Sequence, residues 1–323
     1  MIVFRLSGEH EELPGEEVKA LYETYGRKFE ILEKADKLLL VKSDLEPHAL
    51  SRLALTHEFY MTDLVTDIKN LDRVLLGLDL KKAESFCVRC LGFPSNADEE
   101  KRAGEAIYEA GDLRVDLEKP YVTLYLIKIN QKVAICFQKH GIEGFAARDP
   151  NDRPFFHPLA LSPKLARLFL NLARLRANDT VLDPFCGSGS VLIEADLMGF
   201  KPIGTDKDRE MLWGCAQNLE HYGVKAETGE GDATDIKLKN LDAIVTDPPY
   251  ARASKVFSQD LGELYDAFLE SAYKALKPGG HLVLSVPHDA RLDYAKVGFE
   301  KRGDFLHYVH KSLTRRIYIL RKR

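Results

Sequence analysis

The chain has 323 residues, 45% of them hydrophobic and 30% charged, with a formal net charge of −4 at pH 7. At ~150 residues per domain this gives about two domains with ordinary cores, and it excludes collagen-like, wholly disordered and disulfide-scaffold chains. No apolar run reaches the ~18 residues that cross a bilayer, and Met1-Ile-Val-Phe-Arg-Leu-Ser7 lacks a basic region followed by an apolar one. A cytoplasmic location without a membrane partner is therefore expected.

In chain order, residues 1–55 read as strand (2–6), helix (14–25), strand (28–33), strand (37–43) and helix (47–53), a small α+β pattern. A second small pattern follows: helix 71–80, strand 85–91, helix 98–110, and two strands (121–129, 132–137) joined at Asn130-Gln131. Cys87 and Cys90 lie in the strand 85–91. With no second pair and no histidine at finger spacing they read as structural thiols. Gly141, Gly144, Pro150 and Pro154 then mark a linker, and from Ser162 strands alternate with helices, as a parallel βαβ sheet requires.

Thr180-Val-Leu-Asp183-Pro184-Phe185-Cys186-Gly187-Ser-Gly189 is an apolar strand ending in an acid, a glycine turn and a helix start. It lacks the third glycine of a dinucleotide fingerprint and the Gly-Lys-Ser/Thr of a P-loop, which disfavours a pyrophosphate ligand. The next strand ends at Asp206, placed for ribose hydroxyls. A third strand, near 224–228, is followed by Asp232, which suits an adenine amine or, equally, a helix cap. Acids at three successive strand ends describe a pocket for an adenosine with a neutral or cationic linker, which points to S-adenosylmethionine. Trp213, on the helix after the second strand, is expected in the core.

An apolar strand then runs into Asp247-Pro248-Pro249-Tyr250. The prolines end the strand in a rigid turn, so the Asp247 carboxylate and the Pro248 carbonyl can accept from the exocyclic amine of a base that stacks on Tyr250. The chain closes with Lys301, Arg302, Lys311, Arg315, Arg316, Arg321, Lys322 and Arg323 against Glu300 and Asp304, a basic hairpin of net +6. Residues 1–150 carry 21 Lys/Arg against 27 Asp/Glu, net −6, so the overall charge conceals a local contrast.

Asp183-Pro-Phe-Cys-Gly-Ser-Gly189 followed by Asp247-Pro-Pro-Tyr250, with the later Leu276-Lys-Pro-Gly-Gly-His-Leu-Val-Leu-Ser285, resembles the Rossmann-like S-adenosylmethionine-dependent amino-methyltransferases. Phe155-Phe-His157-Pro through Ser162-Pro163 resembles their segment at the methionine end of the cofactor. With the N-terminal half included, the order of units and Asp at 247 most resemble the archaeal THUMP-containing tRNA (guanine-10-N2) methyltransferases. The resemblance implies an α/β fold: a seven-stranded, mostly parallel sheet preceded by an α+β ferredoxin-like unit and a THUMP domain. The implied boundaries are 1–55 (ferredoxin-like), 56–140 (THUMP), 141–160 (linker) and 161–323 (methyltransferase). Cofactor contacts are implied from His157, Ser162, Asp183, Pro184, Phe185, Gly187, Gly189, Asp206, Asp232, Ala233 and Asp247, and base contacts from Asp247, Pro248, Pro249 and Tyr250. No metal is implied. The implied substrate is tRNA, and some relatives use a small zinc-binding activator protein. The alternatives are a tRNA guanosine-6 N2-methyltransferase, a DNA adenine or cytosine amino-methyltransferase and, from another class, a non-catalytic RNA-binding protein.

Overall fold

The computed structural model describes residues 1–80, 83–111, 113–249, 257–310 and 313–323. They divide into one unit of Met1–Gly15, Arg27–Ser51 and Leu55–Ile142 and a second of Glu16–Gly26, Arg52–Ala54 and Glu143–Arg323.

In the first unit, β1 (Ile2–Leu6), β2 (Glu30–Ala35), β3 (Leu38–Lys42), β4 (Thr56–Met61) and β10 (Gln138–Gly141) form an antiparallel sheet in the order β10-β4-β1-β3-β2. The helices in this stretch of sequence are α1 (Leu13–Thr24) and α2 (Pro47–Leu50). β5 (Leu64–Asp67), β6 (Ser85–Leu91), β7 (Arg114–Val115), β8 (Val122–Ile129) and β9 (Lys132–Cys136) form another sheet, in the order β5-β9-β8-β6-β7. Its period of two sends Leu124 and Leu126 to the face covered by α3 (Leu71–Leu76) and α4 (Asn96–Gly111). Ile127 and Ile129 go to the opposite face, where they pack with Val3, Leu38, Leu40 and Tyr60 of the first sheet. The same alternation separates Cys87 from Cys90, because Cys90 packs on the helix side with Phe86 and Val88. Among the described residues there is no cluster of three metal-ligating side chains.

Four of these strands, β4, β5, β7 and β10, have no counterpart in the sequence reading. β4 carries Glu58 at a buried position, which breaks the apolar pattern. Arg5 (2.8 Å), Lys139 (2.7 Å) and the Tyr60 hydroxyl (2.6 Å) neutralise it there. β10 reads Gln-Lys-His-Gly, with no apolar signal, and is a strand only because it pairs along β4.

In the second unit, β11 (Thr180–Asp183), β12 (Lys201–Asp206), β13 (Glu227–Glu230), β14 (Leu241–Thr246), β15 (Leu276–Pro287), β16 (Phe299–His310) and β17 (Leu313–Lys322) form one sheet. Its order is β13-β12-β11-β14-β15-β17-β16, and β17 alone runs against the others, pairing antiparallel with β15 on one side and β16 on the other. The third parallel strand therefore starts a few residues later than the sequence suggests. Its connecting helices are α5 (Pro163–Leu172), α6 (Ser190–Leu197), α7 (Arg209–Tyr222), α8 (Phe257–Ala275) and α9 (Tyr294–Val297). Leu182, Ile244, Leu282 and Leu284 of the sheet pack with Tyr265, Phe268 and Leu269 of α8. Leu192 and Ile193 of α6 pack with Cys215 and Leu219 of α7 in a separate cluster. Strand order reverses between β11 and its neighbours β12 and β14, and loops leaving a reversal point diverge and open a crevice.

Two features of this unit differ from the sequence reading. The Gly/Pro-rich stretch after Glu143 is fastened to the sheet's helices. The guanidinium groups of Arg148 and Arg167 grip the buried Glu194 of α6 at 2.6 and 2.8 Å, and both also reach Glu143. Trp213 is 64% exposed and meets only the edge of the Phe155 ring, so the expectation of a core tryptophan is corrected. Its place on α7 faces away from the sheet, while Cys215 and Leu219 supply the buried stripe.

Candidate active site

The crevice beyond β11, β12 and β14 is lined by Asp183, Phe185, Gly187, Asp206, Asp247, Pro248 and Pro249, and closed on one side by His157 and Leu159–Leu161. These are the ends of three adjacent parallel strands, so the sheet register fixes their separation.

Asp183 is buried. Its Oδ1 accepts the Thr246 hydroxyl at 2.6 Å and the Phe185 N–H at 3.1 Å. Withdrawal from water pushes this carboxyl up to about 7; the two hydrogen bonds oppose the shift, and the nearby Asp206 and Asp247 carboxylates reinforce it. Asp206 is not the cap of the helix that follows it. It accepts the Gly187 N–H at 2.9 Å and the Asp208 N–H at 3.0 Å, whereas Asp208 caps α7. The loop is thereby tied to the end of β12. Gly189 begins α6 at φ +88°, and a Cβ there would stand 2.9 Å from the Cys215 sulfur, so the turn requires glycine twice over.

Asp247 continues β14 into the Pro-Pro turn. Its Oδ1 accepts the Ser285 hydroxyl from β15, and its Oδ2 lies 3.5 Å from Nη2 of Arg315 on β17. The Pro249 carbonyl accepts the Tyr265 hydroxyl at 3.1 Å, which ties the turn to α8. Asn218 of α7 binds the Phe155 backbone through both its amide oxygen (3.0 Å) and nitrogen (3.1 Å), and it also donates to the Ser188 carbonyl at 3.0 Å. That one buried side chain joins the segment before His157 to the glycine loop.

Of the other residues expected in the site, Ser162 caps α5 by accepting the Leu165 N–H, and Pro184, Gly189 and Ala233 lie outside the lining. Asp232 also lies outside it. Its Oδ1 takes the Thr234 N–H and hydroxyl and its Oδ2 takes Lys207; the Thr234 bonds foremost hold it down at about 2. Tyr250 falls outside the described residues. Within the basic hairpin three cations are paired: Arg316 is bidentate on Asp304 (2.7 and 2.8 Å), which also takes Lys301, and Arg302 pairs with Glu300. Sequence reasoning missed Thr246, Asn218, Ser285 and Arg315, since each acts through a strand or helix neighbour that only tertiary pairing supplies.

Among the described residues, the lining holds Asp183, Asp206, Asp208 and Asp247, with His157 as its one basic side chain and no lysine or arginine. Such a wall repels phosphates and suits a ligand with a sulfonium, an ammonium and ribose hydroxyls, which fits S-adenosylmethionine. Sheet order, crevice and acids together are those of an S-adenosylmethionine-dependent methyltransferase, and the RMKL-like methyltransferase domain family matches residues 150–317. Over the whole chain, the tRNA (guanine(10)-N2)-dimethyltransferase of Pyrococcus abyssi is 39% identical, with 100% of both chains covered. The enzyme of the same name from Methanothermobacter thermautotrophicus is 35% identical over 98% of each. The chain belongs to the tRNA (guanine(10)-N2)-dimethyltransferase family. In fold it is similar to the crystal structure of TrmN from Thermus thermophilus, with a TM-score of 0.56 at 22% identity over 100% of this chain and 99% of that one.

Proposed function

We propose that this protein transfers one or two methyl groups from S-adenosylmethionine to the exocyclic N2 amine of guanosine 10 in tRNA. The observation that carries this reading is the Asp247 carboxylate at the end of β14, held between Ser285 and Arg315 in the same crevice as Asp183 and Asp206. The reading agrees with the activity for which the relatives from Pyrococcus abyssi and Methanothermobacter thermautotrophicus are named.

When bound, the cofactor supplies an electrophilic methyl on a sulfonium. The acids of the wall attract and orient it: Asp206 toward the ribose, with Gly187 bringing the backbone close, and Asp183 toward the positive end. Asp232 keeps one lone pair on Oδ2 for the adenine amine beyond its capping bonds. Contacts from His157, Ser162, Pro184, Phe185, Gly189 and Ala233 complete the cofactor site in this reading.

Asp247 and the Pro248 carbonyl each accept one hydrogen of the guanine amine. The amine lone pair is delocalised into the ring, so two acceptors that favour a tetrahedral nitrogen lower the barrier, and Tyr250 stacks the base. Transfer breaks the bond between methyl and sulfur, S-adenosylhomocysteine is the leaving group, and the methylated amine gives up one proton through its Asp247 acceptor to water, so the nitrogen keeps a single hydrogen. A second transfer then needs only one acceptor, with the first methyl turned to the other. The base lies in a folded RNA and has to leave its stack, at a cost of a few kcal/mol.

This reading carries with it the division into a ferredoxin-like domain (1–55), a THUMP domain (56–140), a linker (141–160) and a Rossmann-like methyltransferase domain with its seven-stranded sheet (161–323). It also includes a cytoplasmic location and a small zinc-binding protein as activator. The test is incubation with labelled cofactor and either bulk tRNA or DNA, followed by nucleoside mass spectrometry of the tRNA. N2-methylguanosines at position 10 are expected. Methylation of DNA alone, or of guanosine 6, overturns the assignment.

A further inference from the structure

Asp247 receives two groups that no strand neighbour in sequence could supply. Ser285 lies near the end of β15, next in the sheet to β14, and is wholly buried; its hydroxyl donates to Oδ1. Arg315 lies one strand further, on β17, at 9% exposure, and its Nη2 approaches Oδ2 at 3.5 Å. The register that delivers them is antiparallel: Ser285 pairs with Ile317, and Pro287 with Arg315. Each oxygen of the carboxylate thus meets a group delivered from within the sheet.

This arrangement matters because of what the amine needs. A carboxylate that is to accept an N–H must be ionised, and its lone pair must point along a fixed line. A buried carboxylate facing other acids tends toward protonation. Among the described residues, the charged and titratable groups around Asp247 are Asp183 from β11, Asp206 from β12, His157 from the capping segment, Tyr265 from α8 and Arg315 from β17, with His307 of β16 opposite Arg315. Arg315 is the one permanent cation in that set. At 3.5 Å the guanidinium lies beyond the distance of a tight bidentate pair and supplies its charge to the carboxylate.

We propose that Ser285 and Arg315 are positioning residues for methyl transfer. They fix the plane of the Asp247 carboxylate and keep it ionised as an acceptor for the substrate amine. Neither needs to touch the base or the cofactor. The inference rests on the proposed role of Asp247, and it makes β15 and β17 part of the catalytic apparatus.

The test compares wild type with Ser285→Ala, Arg315→Met and Arg315→Lys in single-turnover and steady-state methylation of tRNA across pH 5.5–9. Binding of S-adenosylhomocysteine and thermal melting are measured alongside. Arg315→Met is expected to lower kcat about 100-fold with KM for tRNA within about threefold, and to move the acid limb of kcat upward by about one pH unit. Arg315→Lys should return the acid limb to its wild-type position while recovering only part of kcat. Ser285→Ala should lower kcat about tenfold, and S-adenosylhomocysteine affinity should stay within threefold in all variants. If Arg315→Met raises KM for tRNA with kcat and its pH profile unchanged, Arg315 is a phosphate contact and the proposal fails. If Arg315→Met does not fold, Ser285→Ala and Arg315→Lys with unchanged kcat and unchanged pH profile overturn it equally. Failure of the underlying reading looks different: wild type itself would transfer no methyl to tRNA, or Asp247→Ala would remain active.

Discussion

Thr246 and Asp183 end adjacent parallel strands, and the threonine hydroxyl donates to the carboxylate across 2.6 Å. This bond, with the Phe185 N–H, works against the burial that holds the Asp183 proton up to about 7. Below that pH the acid is neutral and attracts a cation weakly. Affinity for S-adenosylmethionine should therefore rise between pH 6 and 8, with a smaller change for S-adenosylhomocysteine, which has no sulfonium. Thr246→Val removes an opposing bond and should move the midpoint to higher pH. Calorimetric titration at several pH values reads both effects, and an unchanged profile in Asp183→Asn would remove Asp183 from this role. Linkage has the same origin. The native state holds this proton more tightly than the unfolded chain, at an ordinary Asp value of about 4, so the ligand-free fold loses stability as pH rises from about 4 to about 7. Asp183→Asn should flatten that decline.

Asp247→Ala should reduce transfer to tRNA by at least about 10²-fold while leaving S-adenosylmethionine affinity within about tenfold. Its partner in the proposed reaction is the base amine. Asp206→Ala should do the reverse and weaken the cofactor first, because Asp206 also holds the Gly187 N–H and so the shape of the loop. Paired kcat and cofactor-binding measurements separate the two. A Asp247→Ala variant that binds cofactor poorly would show the roles misassigned.

The parallel half of the catalytic sheet was legible because its signals are local. Short apolar runs end in Asp183, Asp206 and Asp247, and each strand is followed by its own turn or helix. What could not be read depends on partners far away in sequence. β10 has no apolar residue and exists through pairing with β4, and Glu58 hides a buried strand behind three polar partners. Asp232 suits a cap and an adenine site alike in sequence; the structure adds its cap of Thr234 and its pair with Lys207. The charge count of the carboxyl-terminal hairpin does not reveal its pairing: Arg316, Lys301 and Arg302 are held by Asp304 and Glu300 on the same hairpin, whereas Arg315 reaches Asp247.

Glu194 offers a test of how the segment after Glu143 is held. It is 1% exposed and takes one guanidinium on each oxygen, Arg148 at 2.6 Å and Arg167 at 2.8 Å. Removing the carboxylate leaves two buried cations with the half-exposed Glu143 and the Phe145 ring as their partners among the described residues, so Glu194→Ala should lose about 3 kcal/mol of stability. Glu194→Gln keeps an acceptor and should lose less. Urea unfolding monitored by circular dichroism gives both values. A loss below about 1 kcal/mol in the alanine variant would place Arg148 and Arg167 in the class of weak surface pairs.

Gly214 sits inside α7, where replacement by alanine ordinarily stabilises a helix by up to about 1 kcal/mol. Here the opposite is expected. A Cβ at this position would lie 2.2 Å from the Phe155 ring, far inside contact distance, and the ring is a rigid body with no flexible end to yield. Phe155 is itself pinned, because its backbone is bound on both sides by the Asn218 amide. The added methyl therefore has to displace the whole segment that leads to His157 and Leu159–Leu161 on the wall of the crevice. Gly214→Ala should reduce stability by about 1–3 kcal/mol, typical of an overfilled site, and weaken cofactor binding in step. Phe155→Leu in the same chain vacates the space and should restore part of both. Restoration of melting temperature without restoration of affinity would mean that the Phe155 ring itself, and not the position of its segment, contributes to the cofactor site.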